Sequence, residues 1–274
     1  MGMVINTNVM AINAQRNLSI TTSNLSTSMA RLSSGQRITA AKDDAAGLAI
    51  SEKLKAQIRG LGQAERNAND GISLVQTAEG AMDEISSMLI RMRELGVQAA
   101  NGTTATEQKG FLANEFNELS DEITRIANST EFNGTNLLNG NSSSVLLQVG
   151  INDDNNSQIS VNLVSVTATD LHVAGLSISD TAGAQGALAT IDQAISDLSE
   201  QRGVLGAAQN RLASTVRNLA TTRENLSASN SRIRDVDVAD ESVAMTRSQI
   251  LMQAGSSVLA QANQIPSMAL SLIG

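Results

Sequence analysis

Few side chains in this sequence are of the types that carry out catalysis or bind metal ions. The single histidine, His172, cannot alone supply a zinc site or a catalytic triad, and the chain has no cysteine. Asp153 and Asp154 begin a stretch similar to a calcium loop, but the glycine and closing glutamate of that loop are missing. We therefore interpret His172 as a surface residue and 153–157 as a polar turn, and we predict no catalytic, metal or cofactor site.

Two further motifs have the residue types of a chemical site but not its pattern. Gly60 and Gly62 are not followed by the third glycine of a dinucleotide-binding loop. Asp43 and Asp44 form a pair of carboxylates directly before a helical pattern, where an anion favours the helix N-terminus. Helix capping explains this pair at least as well as acid–base catalysis, so we predict that the protein is not an enzyme.

The composition excludes several kinds of partner. The net charge is −8 and 1% of the residues are aromatic, which excludes a nucleic-acid-binding surface built from basic or stacking side chains. No apolar run approaches the ~20 residues of a transmembrane helix, so no membrane partner is predicted. The first 25 residues lack the cationic start and apolar run of a cleavable signal peptide. If the protein is secreted, we expect a route that does not read such a signal.

Charge is almost absent from both ends of the chain. Residues 1–30 contain only Arg16 as a charged residue, and residues 248–274 contain none. Apolar side chains nevertheless recur there at intervals of seven, at Leu18, Leu25 and Leu32 and at Leu251, Val258 and Ile265. Because burying a charge is costly, we predict that the two ends pair, become ordered on assembly, and use these residues as an assembly seam.

Long amphipathic helices are predicted inside the two ends. The first helix should stop near Gly35, and further helical segments are expected at about 44–57, 67–100 and 105–128. A last helical region has an unbroken heptad of leucines, interpreted as the core of a shaft: Leu198, Leu205, Leu212, Leu219 and Leu226. Its companion heptad positions are only half apolar, which favours a helix among several neighbours over a two-stranded coiled coil.

The hydrophobic period changes in the middle of the chain. Apolar residues alternate with others over 145–149 and 159–163, and the polar stretch 152–157 lies between these segments. This pattern predicts a β-hairpin at about 140–166, followed by an irregular connection over 167–186. The fold class predicted is mainly α, an antiparallel helical and coiled-coil rod of paired N- and C-terminal segments with a small central hairpin.

Several motifs in combination strongly resemble those of bacterial flagellins, over essentially the whole chain. They are INTN at 5–8, RLSSG at 31–35, DDAAGLAI at 43–50, EFNG at 131–134, LQVG at 147–150 and the run 225–272. The resemblance implies an inner domain of terminal helices at 1–43 and 236–274. It also implies a shaft domain at 44–235 that contains the hairpin. Larger flagellins insert outer domains in the middle, and this chain is similar to a minimal flagellin that lacks them.

The resemblance also implies a function and a set of partners. Flagellins are secreted and polymerise into the extracellular filament used for motility, with flagellar cap and hook-associated proteins and an export chaperone on the C-terminal segment. Some are recognised by a host Toll-like receptor, and Arg91, Leu95 and Glu115 match the residues involved. Gly96 departs from the alanine expected in that motif.

Two alternatives stay open on the sequence. A junction protein between hook and filament shares the terminal motifs, although the continuous match over the chain favours a flagellin. An enzyme is the third hypothesis, since some flagellins carry a metalloprotease insert, but the His-Glu-x-x-His motif of that insert is absent here.

Overall fold

The computed structural model describes residues 7–271, with side chains described as far as residue 264. The helices are α1 (Val9–Ser34), α2 (Ala45–Ala100), α3 (Thr106–Ser129), α4 (Thr181–Arg234) and α5 (Val238–Ser271). The strands are β1 (Glu131–Phe132), β2 (Thr135–Asn136), β3 (Ser144–Gln148) and β4 (Gln158–Asn162). The predicted fold class, mainly α with a small central hairpin, is confirmed. Within the described range, the helices are too polar or too short to qualify as membrane-spanning segments.

The chain divides into two compact units. Unit 1 comprises Met1–Ala56 and Asn225–Gly274, and unit 2 comprises Gln57–Glu224. The division falls inside α2 and α4. The domain boundaries predicted at 43 and 236 coincide instead with the loops that flank these helices, and they stay a prediction.

The ends of α1 follow local sequence signals. The side chain of Asn8 accepts a hydrogen bond of 3.0 Å from the backbone N–H of Ala11, which caps the first turn. Gly35 follows the last helical residue with φ of 69°, a left-handed conformation that glycine adopts without steric cost. The predicted stop near Gly35 is confirmed.

The second helix is longer than the sequence pattern predicted. Instead of separate segments at 44–57 and 67–100, α2 is one continuous helix of 56 residues that includes Gly60 and Gly62. A glycine inside a helix costs about 1 kcal/mol relative to alanine, which is too little to end a helix held by tertiary packing. At Gly60 an added Cβ would lie 2.9 Å from Ile151 Cγ2, so the glycine allows the loop after β3 to approach the helix.

The next helices begin and end close to the predicted positions, with one exception. α2 ends at the predicted break, and α3 covers the segment expected at 105–128 to within a residue. The exception is α4, which begins at Thr181 within the connection predicted to be irregular as far as residue 186. Asp180 explains this earlier start, because its Oδ1 accepts a hydrogen bond of 2.6 Å from the N–H of Gly183 and so caps the helix.

The predicted hairpin is present. β3 and β4 pair antiparallel, with Val145 opposite Val161 and Leu147 opposite Ile159, so alternate residues share one face. β1 and β2 form a second, smaller pair around Asn133 and Gly134, whose φ angles are 50° and 77°. An Asn-Gly dipeptide favours such a tight turn, whereas the two short strands beside it were not predicted from the sequence.

The core of unit 2 is formed by the apolar faces of α2, α3 and α4 together with the hairpin and the connection that follows it. Its largest fully buried side chains on the helices include Met82, Ile85, Leu89, Met92, Leu95, Phe116, Ile123, Ile191 and Leu198. Four of the predicted shaft-core leucines are buried: Leu198, Leu205, Leu212 and Leu219. The fifth, Leu226, belongs to unit 1 and is half-buried.

Candidate assembly surface

The two ends of the chain pack against each other in unit 1 as an antiparallel helix pair, α1 with α5. Near the start of α1, Asn8 Nδ2 donates a hydrogen bond of 2.7 Å to the carbonyl oxygen of Ala262. Near its end, Arg31 Nη1 lies 3.6 Å from Glu241 Oε2. Partner numbers on α5 therefore fall as those on α1 rise, which fixes the antiparallel direction.

On α1, the covered face follows the predicted heptad. Its members are at most half exposed and recur at intervals of three and four: Ala11, Ala14, Leu18, Thr21, Leu25, Ser28 and Leu32. A Cβ added at Gly255 of α5 would lie 3.4 Å from Leu18 Cδ1, which is ordinary van der Waals contact. The structure thus places Leu18, Leu25 and Leu32 on the face that meets α5.

On α5, the predicted seam residues differ in burial from those of α1. Leu251 and Val258 are 53% and 57% exposed, so they lie outside the covered face. The half-buried or buried residues of that face are Met245, Ser248, Met252, Gly255, Leu259 and Ala262. Met245, Met252 and Leu259 also recur every seven residues, so the sequence contains two apolar heptads and the spacing alone does not choose between them. Ile265 lies within α5, but its side chain is outside the described residues.

A second set of apolar side chains is exposed on both helices. Its members are each about half exposed or more: Val9, Met10, Ile12, Ile20 and Met29 on α1, and Val238, Val243, Ile250, Leu251 and Val258 on α5. We call these residues the outer apolar set. Val258 lines a groove between the helices with Met10, Ala14 and Ala262, and Leu251 lines a groove on α5 with Val243 and Ile250. Scattered apolar residues are normal on a surface, but their number on this one helix pair makes the pair a candidate contact surface.

A backbone clasp holds unit 1 where α1 and α5 approach the long helices. The N–H of Arg37 donates to the carbonyl oxygen of Arg234 at 2.7 Å. The N–H of Val236 donates to the carbonyl oxygen of Gly35 at 3.1 Å. Arg234 Nη1 also lies 2.6 Å from Glu52 Oε1. Sequence reasoning missed this clasp because its members are 182 or more residues apart. The available signal was the short charged run RIRD at 232–235, which follows the uncharged stretch 225–231.

The paired carboxylates before α2 are turn and cap residues. Asp44 Oδ1 accepts a hydrogen bond of 2.8 Å from the N–H of Gly47 in the first turn of the helix. Asp43 Oδ2 accepts from the hydroxyl of Thr39 at 2.9 Å and from the N–H groups of Thr39 and Ala40. These hydrogen bonds, led by the Thr39 hydroxyl, lower the pKa of Asp43. The capping interpretation is confirmed.

The other candidates for chemistry occupy surface turns. His172 is exposed in the connection before α4, with φ of 57°. Asp154 Oδ1 accepts a hydrogen bond of 2.7 Å from the N–H of Ser157, which closes the polar turn predicted at 153–157. Among the side chains that the structure describes, no group of three or more His, Cys, Asp or Glu residues is placed to hold a metal ion.

The residues considered for receptor recognition are only partly on the surface. Arg91 Nε and Nη2 donate to Glu115 Oε1 at 2.9 and 2.7 Å, and its Nη1 donates to Glu94 Oε2 at 3.0 Å. The hydrogen bonds that Arg91 donates to Glu115, followed by the one that it donates to Glu94, raise the pKa of Arg91. Both Arg91 and Glu115 are about half exposed, whereas Leu95 is 0% exposed. Leu95 therefore packs in the core of unit 2, and receptor recognition by Arg91, Leu95 and Glu115 stays a prediction.

Gly96 lies next to this set and has a packing role. A Cβ added there would lie 3.1 Å from Leu188 Cδ2 of α4, a tight contact. The glycine that replaces the expected alanine thus leaves room for Leu188 between α2 and α4.

Comparisons with known proteins agree on one family. Residues 5–143 match the family described as "Bacterial flagellin N-terminal helical region", and residues 188–273 match "Bacterial flagellin C-terminal helical region". The chain is 49% identical over 271 residues to a flagellin of Halalkalibacterium halodurans, with 99% of this chain and 100% of the relative covered.

The solved structures that this chain resembles are also of flagellar proteins. The crystal structure of Bacillus cereus flagellin is 31% identical, with a TM-score of 0.51, and the match covers 56% of this chain and 88% of that one. A putative flagellar hook-associated protein from Vibrio parahaemolyticus has a TM-score of 0.60 at 15% identity, over 70% of this chain and 100% of that one. At that identity the likeness shows the fold alone.

Proposed function

Because the chain belongs to the bacterial flagellin family and is a structural subunit of the flagellar filament, we propose that the outer apolar set of α1 and α5 makes the contacts between subunits. The assignment to filament and motility rests on matches that cover the whole chain, and it agrees with the extracellular, self-assembling polymer implied by the sequence motifs. What remains to be assigned is which surface of this chain meets its neighbours.

The observation that carries the proposal is an apolar surface almost without charge. Within unit 1 the residues of the outer apolar set, Leu251 and Val258 among them, are each about half exposed or more. Each such side chain contributes about 1.5–3 kcal/mol when it passes from full exposure to full burial, so partial burial of several of them favours association. The few charges on these helices mean that little must be desolvated at the same time.

The assembly seam then has two parts. Leu18, Leu25 and Leu32 hold α1 to α5 within one subunit, whereas Leu251 and Val258 face other subunits. The face between α1 and α5 is only half-buried, so the helix pair is weakly stable in a single subunit. Covering the outer apolar set with neighbouring subunits then adds most of the stabilisation of these helices. This supports the expectation that the chain ends become ordered on assembly.

The finer partner assignments are also proposals. The subunit would be secreted through the flagellar export route, with a chaperone covering the C-terminal segment. The exposed apolar side chains of α5, such as Ile250, support a need for such cover before assembly. Contacts with cap and hook-associated proteins are expected at the same terminal helices, since the hook-associated protein from Vibrio parahaemolyticus has a similar fold.

The junction-protein alternative has less support than the filament subunit. Its support is fold likeness at 15% identity, against 49% identity to a flagellin over the full chain. The absence of enzymatic activity also belongs to the proposal and rests on the structural role of the family.

A recognition role for a host Toll-like receptor is proposed for the exposed pair alone. Arg91 and Glu115 present one cation and one anion, joined at 2.7 Å and about half exposed, which a polar partner surface could engage by exchanging hydrogen bonds. Leu95 would act only by supporting the helix beneath them.

Polymerisation of the purified protein tests the assembly proposal. Heat-dissociated subunits should form long filaments in electron micrographs after addition of salt or filament seeds, whereas a junction protein should not grow long filaments alone. Leu251→Ser and Val258→Ser should raise the critical concentration without changing monomer helicity. Leu146→Ser is the matched control, because Leu146 is 61% exposed on β3, outside the terminal helices. Equal effects of all three substitutions would contradict the proposed surface, and failure of the unmodified chain to form filaments would contradict the function.

A further inference from the structure

Nearly all of the easily oxidised side chains in this protein are methionines. The sequence has ten methionines and one histidine, but no cysteine, tryptophan or tyrosine. A two-electron oxidant such as a peroxide therefore has the methionine thioethers as its main targets in this chain. Which thioethers react depends on their exposure.

The described methionines fall into three groups by burial. Met82 and Met92 are buried in the core of unit 2, and Met88 packs against that core. Met245 and Met252 are half-buried in the face of α5 that meets α1. Met10 and Met29 on α1 are the exposed ones among those described, at 59% and 56%. Among the methionines that the structure describes, oxidation of the native subunit should therefore start on α1.

Met10 differs from Met29 in its surroundings. It lines the groove between α1 and α5, opposite Val258 and Ala262. It also lies two residues after Asn8, which bonds both to the first turn of α1 and to the carbonyl oxygen of Ala262. Met10 thus lies at the edge of the helix pair, beside Val258, which the proposed function assigns to contacts between subunits, and beside the amides of Asn13, Asn17 and Gln261.

We propose that Met10 is a site of sulfoxide formation that blocks assembly of the subunit. The inference rests on the proposed function, because it requires the groove beside Val258 to be covered by a second copy of this chain. In the reaction, hydrogen peroxide transfers one oxygen atom to Sδ of Met10. The O–O bond breaks, the sulfur loses two electrons, and the peroxide leaves as water, so the thioether becomes a neutral sulfoxide.

The consequence follows from the polarity of the product. A sulfoxide oxygen is a strong hydrogen-bond acceptor, whereas the thioether is close to apolar. In the free subunit the oxygen is solvated, so folding is little affected. When a second subunit covers the groove, the oxygen loses water beside Ala14, Val258 and Ala262. The amides of Asn13, Asn17 and Gln261 at the same groove replace that water only in part, so association weakens. The same cover should shield Met10 from peroxide in a finished filament.

Peroxide treatment of native subunits tests this directly. Subunits would be treated with hydrogen peroxide, sulfoxide at each methionine would be measured by peptide mass spectrometry, and seeded polymerisation would give the critical concentration. Among the described methionines we expect oxidation at Met10 and Met29 first, and we expect a critical concentration raised roughly tenfold or more. Met10→Leu should retain most of its assembly after treatment, whereas Met29→Leu, in which Met10 can still be oxidised, should lose more of it.

A second pair of variants tests the effect of polarity at this position without any oxidant. Met10→Gln places a polar group of similar length in the groove, and Leu146→Gln does the same at an equally exposed apolar position on β3, outside the terminal helices. Helicity of the subunits, measured by circular dichroism, should be unchanged in both, and only Met10→Gln should raise the critical concentration by the same factor. Treatment of preformed filaments should leave Met10 mostly unoxidised.

The outcomes separate this inference from the proposed function. Normal polymerisation of subunits with complete sulfoxide at Met10 would overturn the inference, as would a treated Met10→Leu chain as impaired as the unmodified one. Both results leave the filament assignment intact. Failure of untreated subunits to polymerise would instead contradict the proposed function.

Discussion

Asn8 donates a hydrogen bond of 2.7 Å from Nδ2 to the carbonyl oxygen of Ala262, which is 254 residues later in the chain. The same side chain accepts a hydrogen bond of 3.0 Å through Oδ1 from the N–H of Ala11. One asparagine therefore caps α1 and attaches its first turn to α5. An amide is suited to both tasks because it carries a donor and an acceptor on one planar group.

Substitutions of Asn8 should separate the cap from the attachment. Asn8→Ala removes both and should weaken the α1–α5 pair by about 1–3 kcal/mol. Asn8→Asp keeps a capping oxygen but loses the donor to Ala262, and should weaken the α1–α5 pair by about 1 kcal/mol. Hydrogen exchange of the α1 backbone amides measures the opening of the pair. If Asn8→Asp exchanges like the unmodified chain, the bond to Ala262 contributes nothing to the pairing.

Much of this fold could be predicted because its signals are local. The end of α1 depends on Gly35 itself, whose left-handed φ of 69° suits glycine, and the hairpin register follows from alternation over ten residues of β3 and β4. The heptad of α1 was sufficient to place Leu18, Leu25 and Leu32 on its covered face, because no competing apolar heptad fits the same helix as well.

The errors have a common physical cause, which is packing between residues far apart in sequence. Gly60 stays helical against a local penalty because Ile151 packs over it. On α5, the choice between the heptads of Leu251 and of Met252 depends on how α1 approaches, which the α5 sequence does not contain. Leu95 matched a surface motif, but only the core shows that its side chain is covered.

The glycine at position 71 should be intolerant of a larger side chain. An added Cβ at Gly71 would overlap Leu147 Cδ1 and would lie 3.4 Å from Leu212 Cδ1, so the hairpin and α4 both close over it. Gly71→Ala should lower the free energy of unfolding by about 1–3 kcal/mol through overpacking. Gly80→Ala is the control in the same helix, because nothing lies within 4 Å of its Cβ position. It should stabilise the helix by about 0.5–1 kcal/mol.

Denaturant unfolding of the full chain, monitored by circular dichroism, measures the free energy of unfolding of both glycine variants. The two variants should shift the unfolding midpoint in opposite directions. A stabilised Gly71→Ala chain would mean that Leu147 repacks freely and that the hairpin does not depend on close approach to α2.

The exposed pair of Arg91 and Glu115 should matter for receptor recognition, while a neighbouring pair should not. Arg91→Ala and Glu115→Ala should each reduce signalling in cells that report Toll-like receptor activation by about 5–100-fold, as expected for loss of a charged contact of 1–3 kcal/mol. Arg93→Ala is the matched control, because Arg93 is equally exposed but pairs with Asp192 on α4. An equal loss in all three variants would assign the effect to helix stability, and no loss in any would contradict the proposed recognition.

The pair of Arg93 and Asp192 should make stability depend on pH in a defined direction. Arg93 Nε donates to Asp192 Oδ1 at 2.6 Å, and this hydrogen bond holds the pKa of Asp192 below its usual 3.8. A lowered folded-state pKa means that the unfolded chain binds the proton more readily. The stabilisation is therefore present above the unfolded-state pKa and lost as pH falls through the folded-state value.

A double-mutant cycle with Arg93→Gln and Asp192→Asn isolates this coupling. Both side chains are about half exposed, so the coupling should be small at neutral pH, weaker in high salt, and absent at pH values well below 3.8. Unfolding midpoints of the four proteins at neutral and acid pH measure it. A coupling of the same size at both pH values would show that the two side chains interact by packing rather than by charge, and the pH dependence assigned to Asp192 would then be wrong.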